Sequence, residues 1–368
     1  MKFLHTADLH IGRRLPGGYS LEEDQQHMLH QILEYAKEAD AVLIAGDLFD
    51  KSQPSQSALR MAGAFLSDLA SLKKPVFLIS GNHDGAEQIA YCREILRTQS
   101  VFVSPAYDGQ IISHTLHDAF GPLTVWLVPF VRPYQVRHVL KKEDIQSYQD
   151  ALGAVLYGLP LDRARRNVLV MHQLVLGGEQ SDSEETSIGS LESISPSLLS
   201  AFDYVALGPL HKPQNISPAI RYAGSPIAYS LSEEHHHKSV SMIELSQKGQ
   251  IEITPLPIVP VHPLRTLKGT LKELMRAPSE DYIYAVLSDD IPPMDAGGAL
   301  KSVFPRLIGY EMLSVRAAET LLQDETFDET KTLKEHFADF YAAQHAGRAL
   351  DKEQLTYISH LEEKNETR

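Results

Sequence analysis

The chain has 368 residues, of which 43% are hydrophobic and 22% are charged, and it carries 17 His but one Cys. This length predicts two or three domains with buried cores, and a single Cys excludes an intrachain disulfide framework. The formal net charge of −14 argues against a stand-alone domain that holds nucleic acid by bulk charge. The chain opens without a signal-peptide pattern, and no apolar run approaches the roughly 20 residues that span a bilayer, so we expect a cytoplasmic protein with no membrane segment.

The first 210 or so residues alternate short apolar runs with helical patterns, which is typical of an α/β fold. Apolar runs predict strands at residues 2–7, 41–45, 75–79, 123–128, 167–171 and 203–207. From Ile220 to Pro257 the pattern changes to short alternating strands, which predicts antiparallel pairing. A Pro-rich stretch that contains Pro255, Pro257, Pro260 and Pro263 then predicts a linker.

These changes of pattern divide the chain into three predicted parts: residues 1–260, a small mixed α/β domain at 261–318, and an acidic helical tail at 319–368. The tail carries two apolar stripes at helical spacing, Leu333, Phe337, Phe340 and Tyr341 in the first and Leu355, Ile358 and Leu361 in the second. Such stripes fit either an intramolecular core face or a docking surface for a partner.

Polar motifs follow the ends of five predicted strands, where open α/β sheets place their functional sites. In chain order they are Asp8-Leu9-His10, Gly46-Asp47 with Asp50, Gly81-Asn82-His83-Asp84, His172, and Gly208-Pro209-Leu210-His211. Carboxylates, imidazoles and amide oxygens suit divalent manganese, iron or zinc, and the lack of Cys argues against a structural zinc site. Alone, Asp8-x-His10 is a weak signal and Gly81–Asp84 is a moderate one, but five motifs in this order favour a metal site.

Together the motifs resemble those of the calcineurin-like metallophosphoesterases, whose order and spacing the first 260 residues follow. More specific matches place the chain near the nuclease branch of that family, at Thr6–Gly12, Gly46–Asp50, Tyr204–Gly208, Tyr222–Pro226 and Pro263–Arg265. The resemblance implies a four-layered α/β/β/α sandwich with a small α/β capping domain and a helical C-terminal tail.

The resemblance also implies a function in DNA repair, recombination and replication. It implies metal-dependent cleavage of DNA, as an exonuclease on duplex ends and an endonuclease on single strands and hairpins. The implied partners are DNA, an SMC-like ATPase subunit that docks on the tail, and a second copy of the chain, in a homodimer within a heterotetramer. The sequence has no phosphate-binding loop, which fits ATP binding by the partner.

For the site, the resemblance implies two divalent metal ions, with manganese as the expected metal. Asp8, His10 and His211 would bind one ion, Asn82 and His172 the other, and Asp47 would bridge the two. His83 would protonate the leaving sugar oxygen instead of binding metal. Either Asp50 or Asp84 would orient a histidine from outside the ligand set, and the sequence leaves that choice open.

One position departs from the family pattern, because Gly208-Pro209-Leu210-His211 stands where the family has Gly-His-x-His. Proline has no ligating side chain, so we expect a weak second metal site with three protein ligands. We expect Glu233 to His237 to form a solvated turn, and the acidic run at 181–185 to form a solvated loop.

Two other functions stay open at this point. One is a small-molecule phosphoesterase on the same fold, and the other is a non-catalytic DNA-end-binding or architectural subunit.

Overall fold

The computed structural model of the chain describes residues 1–182, 184, 192–313, 331–344, 348–352 and 354–358. The chain folds into two compact units, Met1–Pro263 and Leu264–Arg368.

The first unit alternates strands and helices along most of its length. Its strands are β1 (Lys2–Thr6), β2 (Ala41–Ala45), β3 (Val76–Ile79), β4 (Val101–Val103), β5 (Ile112–Asp118), β6 (Gly121–Val128), β7 (Arg166–His172), β8 (Tyr204–Gly208), β9 (Gln214–Ser217), β10 (Ile220–Tyr222), β11 (Ser239–Leu245) and β12 (Ile251–Pro257). Its α-helices are α1 (Glu22–Ala36), α2 (Gln56–Ser71), α3 (Ala86–Ile89), α4 (Arg93–Arg97), α5 (Pro133–Leu140) and α6 (Tyr148–Tyr157). Short 3₁₀ turns lie at Pro16–Gly18, Pro196–Leu199 and Leu231–Glu233.

The strands form two six-stranded mixed sheets, in the orders β12-β11-β1-β2-β3-β4 and β5-β6-β7-β8-β10-β9. In the first sheet, β1 to β4 are parallel, and β11 runs antiparallel to β1. In the second, β6, β7, β8 and β10 are parallel, and β5 and β9 are antiparallel edge strands. The carboxyl ends of the central strands of each sheet therefore lie at one edge.

The two sheets pack face to face over a shared apolar core. Phe3, Leu43 and Phe77 of the first sheet lie in one buried cluster with Val125 and Val170 of the second. Alternate strand residues point to the opposite face, where the helices bury their apolar stripes. α5 and α6 share a second core with the outer face of the second sheet, and α1 and α2 are buried along one side. The predicted four-layered sandwich is confirmed.

Two of the predicted linker prolines, Pro255 and Pro257, instead lie in β12. The linker prediction is therefore wrong for these two prolines. They fit in a strand because β12 lies at the edge of its sheet. A proline lacks the backbone N–H of a ladder bond, and an edge strand tolerates that loss.

The second unit contains a small parallel sheet. Its elements are β13 (Leu264–Gly269), α7 (Leu271–Leu274), β14 (Tyr282–Leu287), α8 (Ala296–Val303), β15 (Leu307–Met312) and α9 (Leu333–Gln344). Ile283, Leu300 and Phe304 are fully buried in its core. Its predicted division into a capping domain and a tail stays a prediction, because residues 314–330 lie outside the described residues, as does Leu361 of the second stripe.

Candidate metal centre

The polar motifs meet where the carboxyl ends of β1, β2, β3, β7 and β8 come together. Backbone hydrogen bonds join the loops after β1 and β2, from Asp8 N to Gly46 O at 3.1 Å and from His10 N to Asp47 O at 3.0 Å. The fold thus gathers residues that lie up to about 200 positions apart in the sequence.

One group of side chains forms around Asp8 and His10. The ligand atoms of Asp8, His10 and Asp47 lie within 4.8 Å of one another, and all three residues are buried. His10 Nε2 is 3.1 Å from His211 Nε2 and 3.8 Å from Asp47 Oδ2. These are the four residues predicted for the first metal ion.

A second group forms on the other side of Asp47. His172 Nε2 lies 3.0 Å from Asn82 Oδ1 and 3.4 Å from Asp47 Oδ2. His172 Nδ1 donates to the Ala45 carbonyl over 2.7 Å, which leaves Nε2 to face Asn82 and Asp47. Asp47 therefore contacts both groups.

The carboxylate of Asp8 shows that this site suits a cation. Asp8 is 0% exposed, and neither carboxylate oxygen has a hydrogen-bond partner among the described residues. A buried carboxylate without a hydrogen bond is costly, and a divalent cation supplies the missing interaction. The donors present, carboxylate and imidazole with one amide, fit such a cation.

Burial and neighbouring charges shift the pKa values of the ligand side chains in different directions. Burial lowers the pKa of His10 and of His211, so both rings are neutral and each can offer a lone pair. Burial raises the pKa of Asp8 well above its ordinary value, because the charged carboxylate is disfavoured there in the absence of a cation. At His172 the effect of burial is outweighed by Asp47 and then Asp8, which raise its pKa to about 9, and the same contact holds the pKa of Asp47 below its ordinary value.

The backbone is strained where it presents these ligands. Asp8, His10 and Asp47 have φ values of 54°, 42° and 50°, in the left-handed region. A non-glycine residue in that region destabilises the folded state by about 1–3 kcal/mol, and such strained residues cluster at functional sites. The positive φ angles turn three donor side chains into one small volume.

His83 lies beside Asp47. Its Nε2 is 4.0 Å from Asp47 Oδ2, and its backbone N–H donates to Asp47 Oδ1 over 2.9 Å. Its Nδ1 donates to the Asp50 backbone carbonyl over 2.8 Å, so Nε2 is the nitrogen that faces the centre.

The two aspartates left open in the sequence have different contacts. The Asp50 carboxylate pairs with Arg13 at 3.2 Å, and it also groups with His10 and His83 within 4.8 Å. The Asp84 carboxylate accepts the backbone N–H groups of Leu48, Phe49 and Gly81. Burial, with the charge of Asp47, raises the pKa of Asp84 to about 6. The Asp50 carbonyl thus contacts His83 Nδ1, whereas the Asp84 carboxylate contacts the loop backbone.

Pro209 is buried in the turn after β8 and offers no ligand atom. The second group therefore consists of Asp47, Asn82 and His172.

The two predictions of solvated segments are wrong for three buried residues, Glu233 in the first segment and Ser181 and Glu184 in the second. Glu233 is buried, and its Oε1 lies 3.2 Å from His211 Nδ1. Glu184 is 2% exposed and accepts the His211 backbone N–H. The sequence around Glu233 and Glu234 does not indicate which of the two is buried. The burial of Glu233 depends on its contact with His211, which lies more than 20 positions away in the chain.

Two further residues that the sequence did not single out hold the loop after β1. Gln25 donates to the His10 carbonyl over 2.7 Å and accepts from Gly12 N over 3.0 Å. The Tyr229 hydroxyl donates to the Leu9 carbonyl over 2.5 Å, and its ring packs edge-on against His10. Both residues fix the backbone that carries His10.

Comparison with known proteins finds two matching family models and a curated relative. Residues 1–183 match the calcineurin-like phosphoesterase family model, and residues 260–345 match the model of the type 5 capsule protein repressor C-terminal domain. The D subunit of the nuclease SbcCD from Staphylococcus epidermidis is 29% identical over 374 residues, which cover 98% of each chain.

Solved structures give weaker matches. GAP50, the anchor in the inner membrane complex of Plasmodium, is 13% identical over 84% of this chain and 96% of its own, with a TM-score of 0.41. A protein from Thermus thermophilus is 16% identical over 69% of this chain and 98% of its own, with a TM-score of 0.36. Within the described ranges, no helix has the length and apolar character needed to cross a bilayer.

Proposed function

This chain belongs to the calcineurin-like phosphoesterases and is SbcD-like along its length, and we propose that it is a metal-dependent DNA nuclease. It cleaves phosphodiester bonds as an exonuclease on duplex ends and as an endonuclease on single strands and hairpins. The observation that carries the proposal is the meeting of Asp8, His10, Asn82, His172 and His211 around Asp47.

Two divalent ions, which we take to be manganese, are assigned to the two groups of side chains. Asp8, His10 and His211 would hold the first ion, Asn82 and His172 would hold the second, and Asp47 would serve both. The bridging role is supported by Asp47 Oδ2, which lies 3.8 Å from His10 Nε2 and 3.4 Å from His172 Nε2.

When bound, such ions would activate water as the nucleophile and would offset the negative charge on the phosphate oxygens. His83 acts as the general acid that protonates the leaving sugar oxygen. Its Nδ1 is committed to the Asp50 carbonyl, so the proton that moves is the one on Nε2. Arg13, which Asp50 holds at 3.2 Å, places a positive charge beside the same site.

The second ion binds more weakly than the first because Pro209 replaces a ligand. Three protein ligands still hold a catalytic metal in other enzymes, with water in the remaining positions. The site is thus complete enough for catalysis, with unequal affinity for its two ions.

The partners follow from the same likeness. The Staphylococcus relative is named as one subunit of a complex. For this chain we propose three partners: an SMC-like ATPase subunit, DNA, and a second copy of the chain. The two copies would form a homodimer within a heterotetramer. The tail supports a docking role, because Phe337 and Phe340 of α9 are 41% and 45% exposed. An apolar groove of about 410 Å³ lies there, lined by Phe337, Tyr341, Leu350, Gln354, Tyr357 and Ile358.

A substrate panel with manganese tests the proposal. Linear duplex, hairpin and circular single-stranded DNA are compared with p-nitrophenyl phosphate esters and cyclic nucleotides. We expect DNA cleavage that Asp47→Asn abolishes and that Asp68→Asn, an exposed aspartate of α2, leaves unchanged. Turnover of the small esters alone favours a small-molecule phosphoesterase, and DNA binding without cleavage favours an architectural subunit.

A further inference from the structure

A buried group of charged and polar side chains surrounds His211 on the side away from the other ligands. We call it the His211 clamp, and its members are Glu184, Ser225, Glu233 and Lys238. The side chains of Glu233 and Lys238 are 0% and 7% exposed.

The clamp contacts His211 at its ring and at both ends of its backbone. Glu233 Oε1 lies 3.2 Å from the ring Nδ1, and Lys238 Nζ donates to the His211 carbonyl over 3.0 Å. Glu184 accepts the backbone N–H of His211.

The members of the clamp also bond to one another. Glu233 Oε2 accepts from Lys238 Nζ in a short ion pair and from Ser225 Oγ at 3.1 Å. Lys238 Nζ also donates to Ser225 Oγ over 2.7 Å. Both charges therefore have their partners within the clamp and on His211.

Stability alone does not account for this ion pair. The cost of removing two charges from water offsets most of their attraction, and an apolar pair of similar volume is often as stable. What an apolar pair lacks is an acceptor for the Nδ1–H of His211. The distinctive contribution of Glu233 is thus its contact with that ring.

The contact decides which ring nitrogen carries the proton. A carboxylate at Nδ1 favours the tautomer protonated there, and this leaves the lone pair on Nε2. His211 Nε2 is the nitrogen that lies 3.1 Å from His10 Nε2, inside the group assigned to the first metal ion.

We propose that Glu233, supported by Lys238, is a positioning residue that fixes the tautomer and ring orientation of His211 as a metal ligand. This inference rests on the metal centre of the proposed function. Glu233 touches neither substrate nor metal and acts through His211.

The test replaces the ion pair by a neutral pair of similar size, Glu233→Met with Lys238→Met. The matched control makes the same change at the exposed ion pair Glu34–Lys37 of α1. Nitrogen-15 NMR of the histidine rings in metal-free protein reports the tautomer of His211, and manganese titration by calorimetry reports the affinity.

We expect the native protein to carry the His211 proton on Nδ1 and the double variant to lose that preference. Manganese affinity falls about 10–100-fold in the variant, as is usual when a partner of a metal-binding histidine is lost, and the control binds as the native protein does. Thermal unfolding of the metal-free proteins checks that the variant is folded.

Two results would overturn the inference. One is a native His211 protonated on Nε2, which is measured without any variant and so stands even if the variant does not fold. The other is native manganese affinity in the folded double variant. A native protein that binds no manganese contradicts the metal centre itself, and with it this inference, and that result is seen before any variant is made.

Discussion

Close packing at the centre leaves no room for a side chain at three glycines, Gly46, Gly81 and Gly208. A Cβ atom at Gly81 would lie 2.0 Å from Asp47 Oδ1, and one at Gly208 would lie 2.5 Å from His172 Nδ1. Neither distance is possible between non-bonded atoms, so the ligand or the loop would have to move. The glycines of the strand-end motifs are therefore part of the metal centre, even though they donate no ligand.

Gly81→Ala is expected to displace the Asp47 carboxylate from its place between the two groups of ligands. Calorimetric titration with manganese should show an affinity at least about tenfold lower, the range seen when ligand orientation is lost. Gly63→Ala is the matched control, because a Cβ there meets nothing within 4 Å. Native affinity in Gly81→Ala would contradict the central place given to Asp47.

Pro209→His is expected to add an imidazole ligand to the group formed by Asp47, Asn82 and His172. The native protein should show one tight and one weak manganese site in calorimetry, and the variant should show two tight sites and faster DNA cleavage. Two equally tight sites in the native protein would show that Pro209 costs nothing.

At the scale of elements, α1 connects the metal centre to the end of the first unit. Its residue Gln25 bonds to the loop that carries His10, and its neighbour Asp24 accepts from His262 N over 2.8 Å. One turn or more along the helix, Gln31 exchanges two hydrogen bonds with Val259, at 2.8 and 3.0 Å. A single helix thus holds both the loop after β1 and the segment that leads out of the unit.

Gln25→Ala is expected to leave the His10 carbonyl and the Gly12 N–H without their buried partner. Loss of such partners costs about 1–3 kcal/mol in the free energy of unfolding. Denaturant unfolding should show that loss, and manganese titration should show weaker binding, because the loop that carries His10 loosens. The exposed neighbour Gln26→Ala is the control, and equal behaviour of the two variants would exclude the role assigned to Gln25.

The elements were predictable from the sequence to different degrees. The buried strands β2 and β3 are continuous apolar runs, which a strand with both faces covered requires. The motif positions were predictable because carboxyl ends of parallel strands share one edge. The strand position of Pro255 and the burial of Glu233 and Glu184 were not, because each depends on its neighbours in space, which local sequence does not reveal.

At the scale of the molecule, the buried guanidinium of Arg166 joins the two sheets at the end away from the metal centre, where it also pairs with the partly exposed Asp118. Arg166 of β7 is 3% exposed and bonds to the Asp118 carboxylate of the second sheet. It also donates to the carbonyls of Leu245 and Ser246, at the end of β11 in the first sheet. Arg166 therefore bridges the layers of the sandwich.

Asp118→Asn is expected to destabilise the protein in a pH-dependent way. The hydrogen bond from Arg166 lowers the pKa of Asp118, so its stabilising effect is complete above the unfolded pKa near 4 and is lost as the pH falls below it. Because the Asp118 side chain is 18% exposed, the loss is smaller than for a fully buried pair, and we expect a cost of about 1–3 kcal/mol at pH 7. Denaturant unfolding at pH 7 and pH 3 should show a difference between native and variant that shrinks at pH 3, and a difference independent of pH would contradict this account.

The most direct test of a DNA nuclease built on this centre is an assay of hairpin cleavage with manganese. It compares the native chain with His83→Ala and with a control, His27→Ala, which changes an exposed histidine of α1. Alanine keeps the backbone N–H that donates to Asp47, so manganese binding should be unchanged in His83→Ala. Loss of the general acid should slow cleavage about 10²–10⁴-fold, with His27→Ala at the native rate. Cleavage by His83→Ala at the native rate, or no cleavage by the native chain with its ATPase partner, would contradict the account.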